Sequence, residues 1–520
     1  MVWIVLGEEK GRVKLVSKNE VSGILPKGSY LTVDNNTSKH IVRVDGTTQT
    51  EPFQPSPMIV DMDLSPLKQD QKCKNIIYAF RVYDITNRDD GLIDFIRPQT
   101  LARRSNQEEI NMALGNIQEG PEVFIATVHS AQNQLLTDEE GKMMTAKLPV
   151  DMFYHQTLIC GKTGRGKTVA IKYLAQYFVE ELGGCVLAVN VKDVDLLRLD
   201  QASKTNKKDI LKEWSMLKKN PHGVMNFEVY YPANTTIEHG LGVTQDRCHR
   251  ITLDVSEIEP DALTGLLHGV TDIGAQNLPD IFRFWQERQK SEGNNESFTF
   301  DNFINYFRNA SETREFDTIN SRGNPSLVKL HPSTYDNIIR NLNYASDFFD
   351  NENSQVLTEE DILFSGKMSV INVTGNKGIK FGSILLRDLL RRIVAAKESG
   401  NSDVPILIII DEVHQFYDTE SSEAALGDLA RICRTGRSKK MGIIFSSQNP
   451  SDIPKGIDTV INTKIFFKSD ASVARSQGIS VSMEEMESLK TGYAVASIHD
   501  LWQLKILKFP LALAGVFSDE

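Results

Sequence analysis

Short apolar runs separated by turns and amphipathic stretches dominate the chain from about residue 145 onward. After the first run, residues 169–178 place apolar side chains at helical spacing. Strands that alternate with helices in this way predict an α/β domain built around a parallel sheet. The runs that have the length and apolar character of buried parallel strands are 156–160, 185–191, 367–373, 406–410 and 442–446.

The N-terminal pattern is different, because β-rich runs alternate there with turns rich in Gly, Asn, Pro and Asp. It predicts a small all-β unit, a barrel or a sandwich, with strands at 2–6, 13–16, 30–33, 41–44 and 123–128. Between about residues 200 and 366 helical periodicity predominates, for example at 279–290 and 332–349. We therefore expect an N-terminal β-barrel at 1–140, an α/β core at 141–200 and 366–520, and a mainly helical insertion at 201–365.

Composition narrows the class of protein. The chain has 520 residues, of which 40% are hydrophobic and 24% charged, as in folded globular proteins. Its apolar stretches fall short of the roughly 20 residues that cross a bilayer, so we expect no membrane segment. The apolar N-terminus lacks a basic region and soon meets Glu8 and Glu9, which argues against a signal peptide and favours a cytoplasmic location. The net charge of −11 means that any contact with nucleic acid must be local.

A glycine-rich loop between the first buried run and the first helix fits the pattern G-x-x-x-x-G-K-[ST]. Such a loop turns backbone amides toward an anion, and the helix N-terminus adds partial positive charge. Lys167 is expected to contact the β- and γ-phosphates, and the Thr168 hydroxyl to coordinate Mg²⁺. A chance match in a glycine-rich turn is the alternative. The candidate phosphate-binding residues are Gly161, Lys162, Thr163, Gly164, Arg165, Gly166, Lys167 and Thr168.

Two carboxylates follow the aliphatic run at 406–410 directly. A charge pair after a strand buried on both faces emerges at the carboxyl edge of the sheet, beside the phosphates. Asp411 is expected to bind Mg²⁺ through water, and Glu412 to orient and deprotonate the attacking water. This pairing favours hydrolysis over transfer to another acceptor, and an ordinary helix N-cap is the alternative.

Basic and polar residues surround the last buried run. Residues 431–440 carry five basic side chains and no acid, so an arginine from this turn could reach a γ-phosphate across a subunit boundary. A solvated or DNA-binding turn is the alternative. Gln448 follows the strand and could sense the γ-phosphate or position water, or simply end the strand. The six lysines at 204–219 form either a solvated helix face or a DNA-facing loop, and the acidic stretch at 418–428 looks like a solvated helix face.

Taken together, these segments resemble the HerA-type helicases and translocases of the HerA–FtsK superfamily. The resemblance is carried by the P-loop, by Asn190-Val191-Lys192, by Asp411-Glu412, by the turn at 436–442 and by 447–452. It implies a RecA-like P-loop NTPase core preceded by a small β-barrel. It also implies that Lys167 and Thr168 are the residues that bind the phosphates and the metal. Asp411 is then the Mg²⁺ carboxylate and Glu412 the catalytic base. Carried over by position, Arg437 is the arginine finger and Gln448 the sensor.

The resemblance further implies a homo-hexameric ring that uses ATP and Mg²⁺ to move double-stranded DNA without sequence specificity. Family members act with a nuclease partner such as NurA, and related ATPases pair with antiphage effectors. His155 departs from the family, since a basic residue often precedes the P-loop strand there. Candidate DNA-facing loops are 192–198, 204–219 and 434–440.

The sequence therefore predicts an ATP-driven translocase or helicase that works with a nuclease or another effector. The first alternative is an ATP-binding scaffold or switch subunit of a defence complex with little DNA movement. A nucleotide kinase is the second, and Glu412 beside Asp411 argues against it.

Overall fold

The computed structural model describes residues 3–17, 25–34, 38–50, 74–86, 96–129, 132–192, 194–233, 235, 240, 242–267, 277–293, 298–417, 426–502 and 504–517. Most of the acidic stretch predicted at 418–428 lies outside these residues. The chain forms two compact units. The first contains Met1–Val150, Lys162–Gly166 and Lys464–Pro510, and the second contains Asp151–Gly161, Lys167–Thr463 and Leu511–Glu520.

Six antiparallel strands close a β-barrel in the first unit, in the order β1-β2-β5-β4-β3-β6. Alternate side chains point inward, and Trp3, Val5 and Leu15 are fully buried in the barrel core. The barrel expected from the N-terminal pattern is thus confirmed, although its last two strands were not predicted. The barrel strands are β1 (Trp3–Glu9), β2 (Arg12–Ser17), β3 (Tyr30–Asp34), β4 (Lys39–Thr50), β5 (Lys74–Asp84) and β6 (Leu101–Arg104).

The first unit also contains an antiparallel sheet with the strand order β20-β21-β22-β7-β8, and β9 pairs with β7. The run at 123–128, which the sequence assigned to the all-β unit with the barrel strands, forms β7 and lies outside the barrel. Strand periodicity does not specify a partner strand, which explains the error. The sheet strands are β7 (Glu122–His129), β8 (Gln132–Leu135), β9 (Thr145–Lys147), β20 (Thr463–Phe467), β21 (Tyr493–Ser497) and β22 (Ile506–Lys508), and the helices are α1 (Gln107–Ala113), α10 (Ala471–Ser476) and α11 (Met483–Ser488).

A parallel sheet forms the centre of the second unit, in the order β16-β13-β12-β17-β11-β18-β19-β10. All five runs predicted as buried strands belong to it, and its aliphatic strands pair in parallel throughout. The α/β class is therefore confirmed. The strands are β10 (Gln156–Cys160), β11 (Cys185–Asn190), β12 (Asn226–Pro232), β13 (Cys248–Thr252), β16 (Gln355–Val356), β17 (Lys367–Asn372), β18 (Ile406–Asp411) and β19 (Met441–Ser447).

Helices flank this sheet. The helix α4 (Leu278–Glu292) has Pro279 in its first turn, and Gly293 follows it as a C-cap with a φ of 66°, which suits glycine. The helices are α2 (Lys167–Glu180), α3 (Lys208–Met216), α4 (Leu278–Glu292), α5 (Phe300–Asn309), α6 (Pro332–Ala345), α7 (Glu359–Ile362), α8 (Gly375–Ser399) and α9 (Asp428–Thr435). Short 3₁₀ helices include Val150–Tyr154, Pro260–Leu267, Val413–Gln415, Gly436–Lys439 and Pro450–Asp452.

The segment at 201–365 contains strands as well as the expected helices. Strands β12 and β13 extend the parallel sheet beyond β17, and β14 (Glu315–Ile319) pairs with β15 (Pro325–Lys329) as a separate hairpin. Polar residues interrupt the apolar positions of both sheet strands, so the sequence did not reveal them. The proposed boundaries at 140, 200 and 365 stay a prediction. Within the part of the chain that the structure describes, no helix has the length and apolarity needed to span a membrane.

Candidate nucleotide site

The carboxyl ends of the central strands meet at one edge of the parallel sheet. In the register of these strands, Cys160 of β10 lies opposite Ser447 of β19, and Ser446 lies opposite Asp411 of β18. Strand β19 lies between the P-loop strand β10 and the strand β18 that carries the carboxylates. The polar residues after β19 therefore lie between the two, which is the place where ligands bind in sheets of this kind.

Lys167 and Thr168 begin helix α2 directly after the glycine-rich loop. The Lys167 side chain is buried, and its ammonium donates a hydrogen bond to the Gly161 carbonyl. Burial, together with the nearby charge of Lys192, lowers the pKa of Lys167. The Thr168 hydroxyl lies 3.4 Å from the Asp195 carboxylate. A buried lysine and a hydroxyl at a helix N-terminus are groups that can bind a phosphate and its cation.

The middle of the loop, residues 162–166, belongs to the first unit and is held there by backbone contacts. The Lys162 amide donates to the Lys468 carbonyl at 2.9 Å, and the Gly492 amide donates to the Arg165 carbonyl at 3.1 Å. Gly166 has a φ of 110°, and a Cβ there would lie 3.1 Å from the Gly492 backbone. A glycine is therefore required at this position. Gly164 also has a positive φ, of 72°, with open space around it.

Asp411 and Glu412 occupy the end of β18 and the residue after it. The Glu412 amide donates to the Ser446 carbonyl at 2.7 Å, and the Glu412 side chain is buried. A lysine faces both carboxylates, since the Lys192 Nζ lies 2.7 Å from Glu412 Oε1 and 3.5 Å from Asp411 Oδ2. The sequence had placed Lys192 in a candidate DNA-facing loop, whereas the structure engages its ammonium at this edge of the sheet.

Burial raises the pKa of each of the two carboxylates, and Lys192 lowers it. Burial raises the pKa of Asp411 above its ordinary value, and the charge of Lys192 only partly offsets this effect. Burial alone would also raise the pKa of Glu412, but the hydrogen bond and charge of Lys192 hold it below its ordinary value. Lys192 thus favours the ionised form of Glu412, which is the form that a residue must have to accept a proton from water.

Polar side chains around Glu412 complete the cluster. Gln448 Nε2 donates to Glu412 Oε1 at 3.3 Å, and the Ser447 hydroxyl lies 3.5 Å from Glu412 Oε2. The Nδ1 atom of His414 is 3.8 Å from Glu412 Oε2 and 3.9 Å from Asp452 Oδ2, so these three side chains also offer ligand atoms close enough to share one cation. The sequence prediction missed His414, Asp452 and Asp195. His414 could have been proposed from the sequence, because it follows the acidic pair by two residues in the segment Asp-Glu-Val-His.

Arg437 lies apart from this cluster in the 3₁₀ helix Gly436–Lys439. Its guanidinium forms an ion pair with Asp151 at 3.1 Å, and 61% of the side chain is exposed. Among the other candidate DNA-facing residues, Lys208 and Lys212 are exposed on α3, whereas Arg198 is buried with its guanidinium over the Phe517 ring. The loop at 192–198 therefore offers less free positive charge than its sequence indicates.

The fold and the site define a P-loop type of α/β protein, with a glycine-rich loop and an acidic pair at one edge of a parallel sheet. Residues 134–393 match the family described as "Helicase HerA, central domain", and residues 381–478 match "Helicase HerA-like C-terminal". The chain belongs to the HerA-like helicase family.

Curated relatives are distant. The chain is 24% identical over 258 residues to the DNA double-strand break repair helicase HerA of Sulfurisphaera tokodaii, covering 46% of this chain and 50% of that protein. It is 29% identical over 136 residues to the protein of the same name from Saccharolobus solfataricus, covering 24% and 27%. The chain thus spans half or less of the length of these relatives.

Solved structures with a similar arrangement include VirB4 of Thermoanaerobacter pseudethanolicus, at 12% identity and a TM-score of 0.45, covering 76% of this chain and 97% of that one. The bacterial conjugative coupling protein TrwBdeltaN70 is similar at 13% identity and a TM-score of 0.46, covering 72% and 89%.

Proposed function

We propose that this protein hydrolyses ATP to move double-stranded DNA, as a hexameric translocase or helicase that acts with a nuclease or another effector protein. One observation supports this proposal above the others. The P-loop strand and the Asp411-Glu412 strand end at the same edge of one sheet, and Lys167 begins the helix that follows the P-loop. Membership of the HerA-like helicase family adds to it.

The residues at this edge fit a magnesium nucleotide. In the proposed mechanism the loop 161–168 holds the phosphates through backbone amides, while Lys167 supplies positive charge and the Thr168 hydroxyl faces the cation. Asp411 holds the cation through water. Mg²⁺-ATP supplies the electrophilic γ-phosphorus when bound. Glu412 orients a water molecule and accepts its proton, and the amide of Gln448 holds Glu412 in place and senses the γ-phosphate.

The oligomeric part of the proposal comes from Arg437. Its side chain is exposed, and we propose that in a hexamer it reaches the nucleotide of the adjacent subunit and stabilises transition-state charge. The relatives described as DNA double-strand break repair helicases make duplex DNA the proposed substrate. An acidic chain can bind DNA in a ring because short basic loops from several subunits converge on one axis. A NurA-like nuclease or an antiphage effector is the proposed partner, in the cytoplasm.

ATP turnover with and without DNA tests the proposal. We expect phosphate release that rises severalfold with linear duplex DNA, is abolished in Lys167→Ala, and falls at least about 100-fold in Glu412→Gln. Lys167→Ala removes a charge that acts on the phosphate, and Glu412→Gln removes the base that acts on the attacking water. Glu412→Gln should still bind a fluorescent ATP analogue. Turnover that no DNA stimulates would favour the scaffold, and full turnover in Glu412→Gln would remove this residue from its role.

A further inference from the structure

The backbone carbonyl of Lys192 is held by a hydrogen bond from the buried side chain of Asn190. It follows β11, the strand between β17 and β18. The buried Asn190 amide donates to the Lys192 carbonyl at 2.7 Å and to Asn372 Oδ1 at 3.1 Å, and its oxygen accepts from the Leu196 amide at 3.3 Å. Because the same buried side chain contacts Asn372 of the neighbouring strand and the Lys192 carbonyl, it fixes that carbonyl relative to the sheet.

The ammonium of Lys192 contacts the same two carboxylates that the proposed function uses for cation binding and proton transfer. It is 2.7 Å from Glu412 Oε1 and 3.5 Å from Asp411 Oδ2. Only 5% of the Glu412 side chain and 14% of the Asp411 side chain are exposed. Two adjacent, mostly buried carboxylates repel each other, and a nearby cation is needed if both are to stay ionised. Lys192 supplies that cation from within the chain.

We propose that Lys192 is a positioning residue that competes with the divalent cation for Asp411 and thereby links cation binding to the release of Glu412. An ammonium 3.5 Å from Asp411 repels a divalent cation that this carboxylate would hold, so the presence of Lys192 weakens cation binding. Lysine suits this role because its charge is carried on a flexible four-carbon stem, and 35% of this side chain is exposed. The inference rests on the proposed function, because it assumes that Asp411 organises the cation.

Mn²⁺ binding to the full chain without nucleotide, measured by electron paramagnetic resonance at pH 8, tests the competition without requiring turnover. Lys192→Met keeps the length of the side chain and removes its charge. We expect it to bind Mn²⁺ about tenfold more tightly than the wild type, since a like charge 3.5 Å from Asp411 is removed. The gain should disappear in the double variant Lys192→Met with Asp411→Asn.

A matched control is Lys329→Met. Lys329 also pairs with a glutamate, Glu315, at 2.8 Å, but 63% of its side chain is exposed, on the hairpin β14–β15. The Lys329→Met variant should bind Mn²⁺ with the affinity of the wild type. Wild-type Mn²⁺ affinity in a folded Lys192→Met protein, or a gain that survives Asp411→Asn, would overturn the proposal. A wild-type protein that hydrolyses no ATP would refute the proposed function while leaving the Mn²⁺ result to decide the competition.

Discussion

The backbone of Glu412 is in the left-handed region, with a φ of 49°. This conformation costs a residue with a Cβ on the order of 1 kcal/mol, and such strain persists where surrounding contacts enforce it. The amide hydrogen bond to Ser446 and the side-chain contacts with Lys192 and Gln448 provide that enforcement. The same contacts hold the Glu412 carboxylate beside Lys192 and Gln448.

Another buried carboxylate, Glu109 at α1, stabilises the first unit. It accepts hydrogen bonds from Arg103 at 2.6 and 2.9 Å and from Thr32 at 2.8 Å, and Lys39 lies 2.9 Å away. Burial would raise its pKa, but hydrogen bonds from Arg103 and Lys39 lower it from 4.5 to about 2. The charged form is thus favoured by folding, so its stabilisation is complete above pH 4.5 and is lost as the pH falls toward 2.

We expect Glu109→Gln to lower the free energy of unfolding at pH 7 by about 2 kcal/mol, the usual contribution of hydrogen bonds to a charged group. Urea unfolding followed by fluorescence measures this loss, and the exposed Glu108→Gln on the same helix is the control. The difference between wild type and variant should shrink when the measurement is repeated at pH 3. A difference that stays constant with pH would contradict the assignment of the shifted pKa to Glu109.

At the scale of elements, strand β19 determines how far apart the P-loop and the acidic pair lie, because it is placed between β10 and β18. Its first residues pack closely on the 3₁₀ helix before β10. A Cβ at Gly442 would come within 1.8 Å of the Phe153 carbonyl oxygen, so this glycine is required by close backbone approach rather than by a positive φ. The close contact between Gly442 and Phe153 therefore helps to fix the position of β19, and with it the positions of Ser446, Ser447 and Gln448.

Gly442→Ala should force β19 away from Phe153 and destabilise the second unit by about 3 kcal/mol, at the upper end of overpacking costs. A fall in thermal midpoint and in ATP turnover together is the expected result. Gly46→Ala in barrel strand β4 is the control, because nothing lies within 4 Å of a Cβ there. If Gly442→Ala and Gly46→Ala melted alike, the close approach would not be a stability determinant.

At the scale of the whole molecule, the proposed ring makes each site depend on two chains. We expect Arg437→Ala and Lys167→Ala to be inactive alone and to regain turnover when mixed, because an intact P-loop then meets an intact arginine at about a quarter of the interfaces in an equal mixture. Light scattering checks that mixed assemblies form, and phosphate release measures the recovery. Co-assembly without recovery at any ratio would assign Arg437 a role within its own chain or none.

Local patterns were sufficient for the five aliphatic parallel strands, the helix after the P-loop and the pair Asp411-Glu412, because apolar runs, helical periodicity and a contiguous loop motif can be recognised in the sequence. Lys192 and Glu412 are 220 residues apart, so no local pattern could show that their side chains meet. The same reason explains β7, whose alternation is that of any strand, and the placement of β19 between the P-loop and the acidic pair.

The sequence by itself determined the class of fold, the phosphate loop and the acidic pair, because each depends on residues that are neighbours along the chain. The tertiary structure decided which strands lie side by side, which cation faces Asp411 and Glu412, and that Arg198 is buried while Arg437 is exposed. These features depend on strand order and on packing between distant segments, which composition and spacing do not encode.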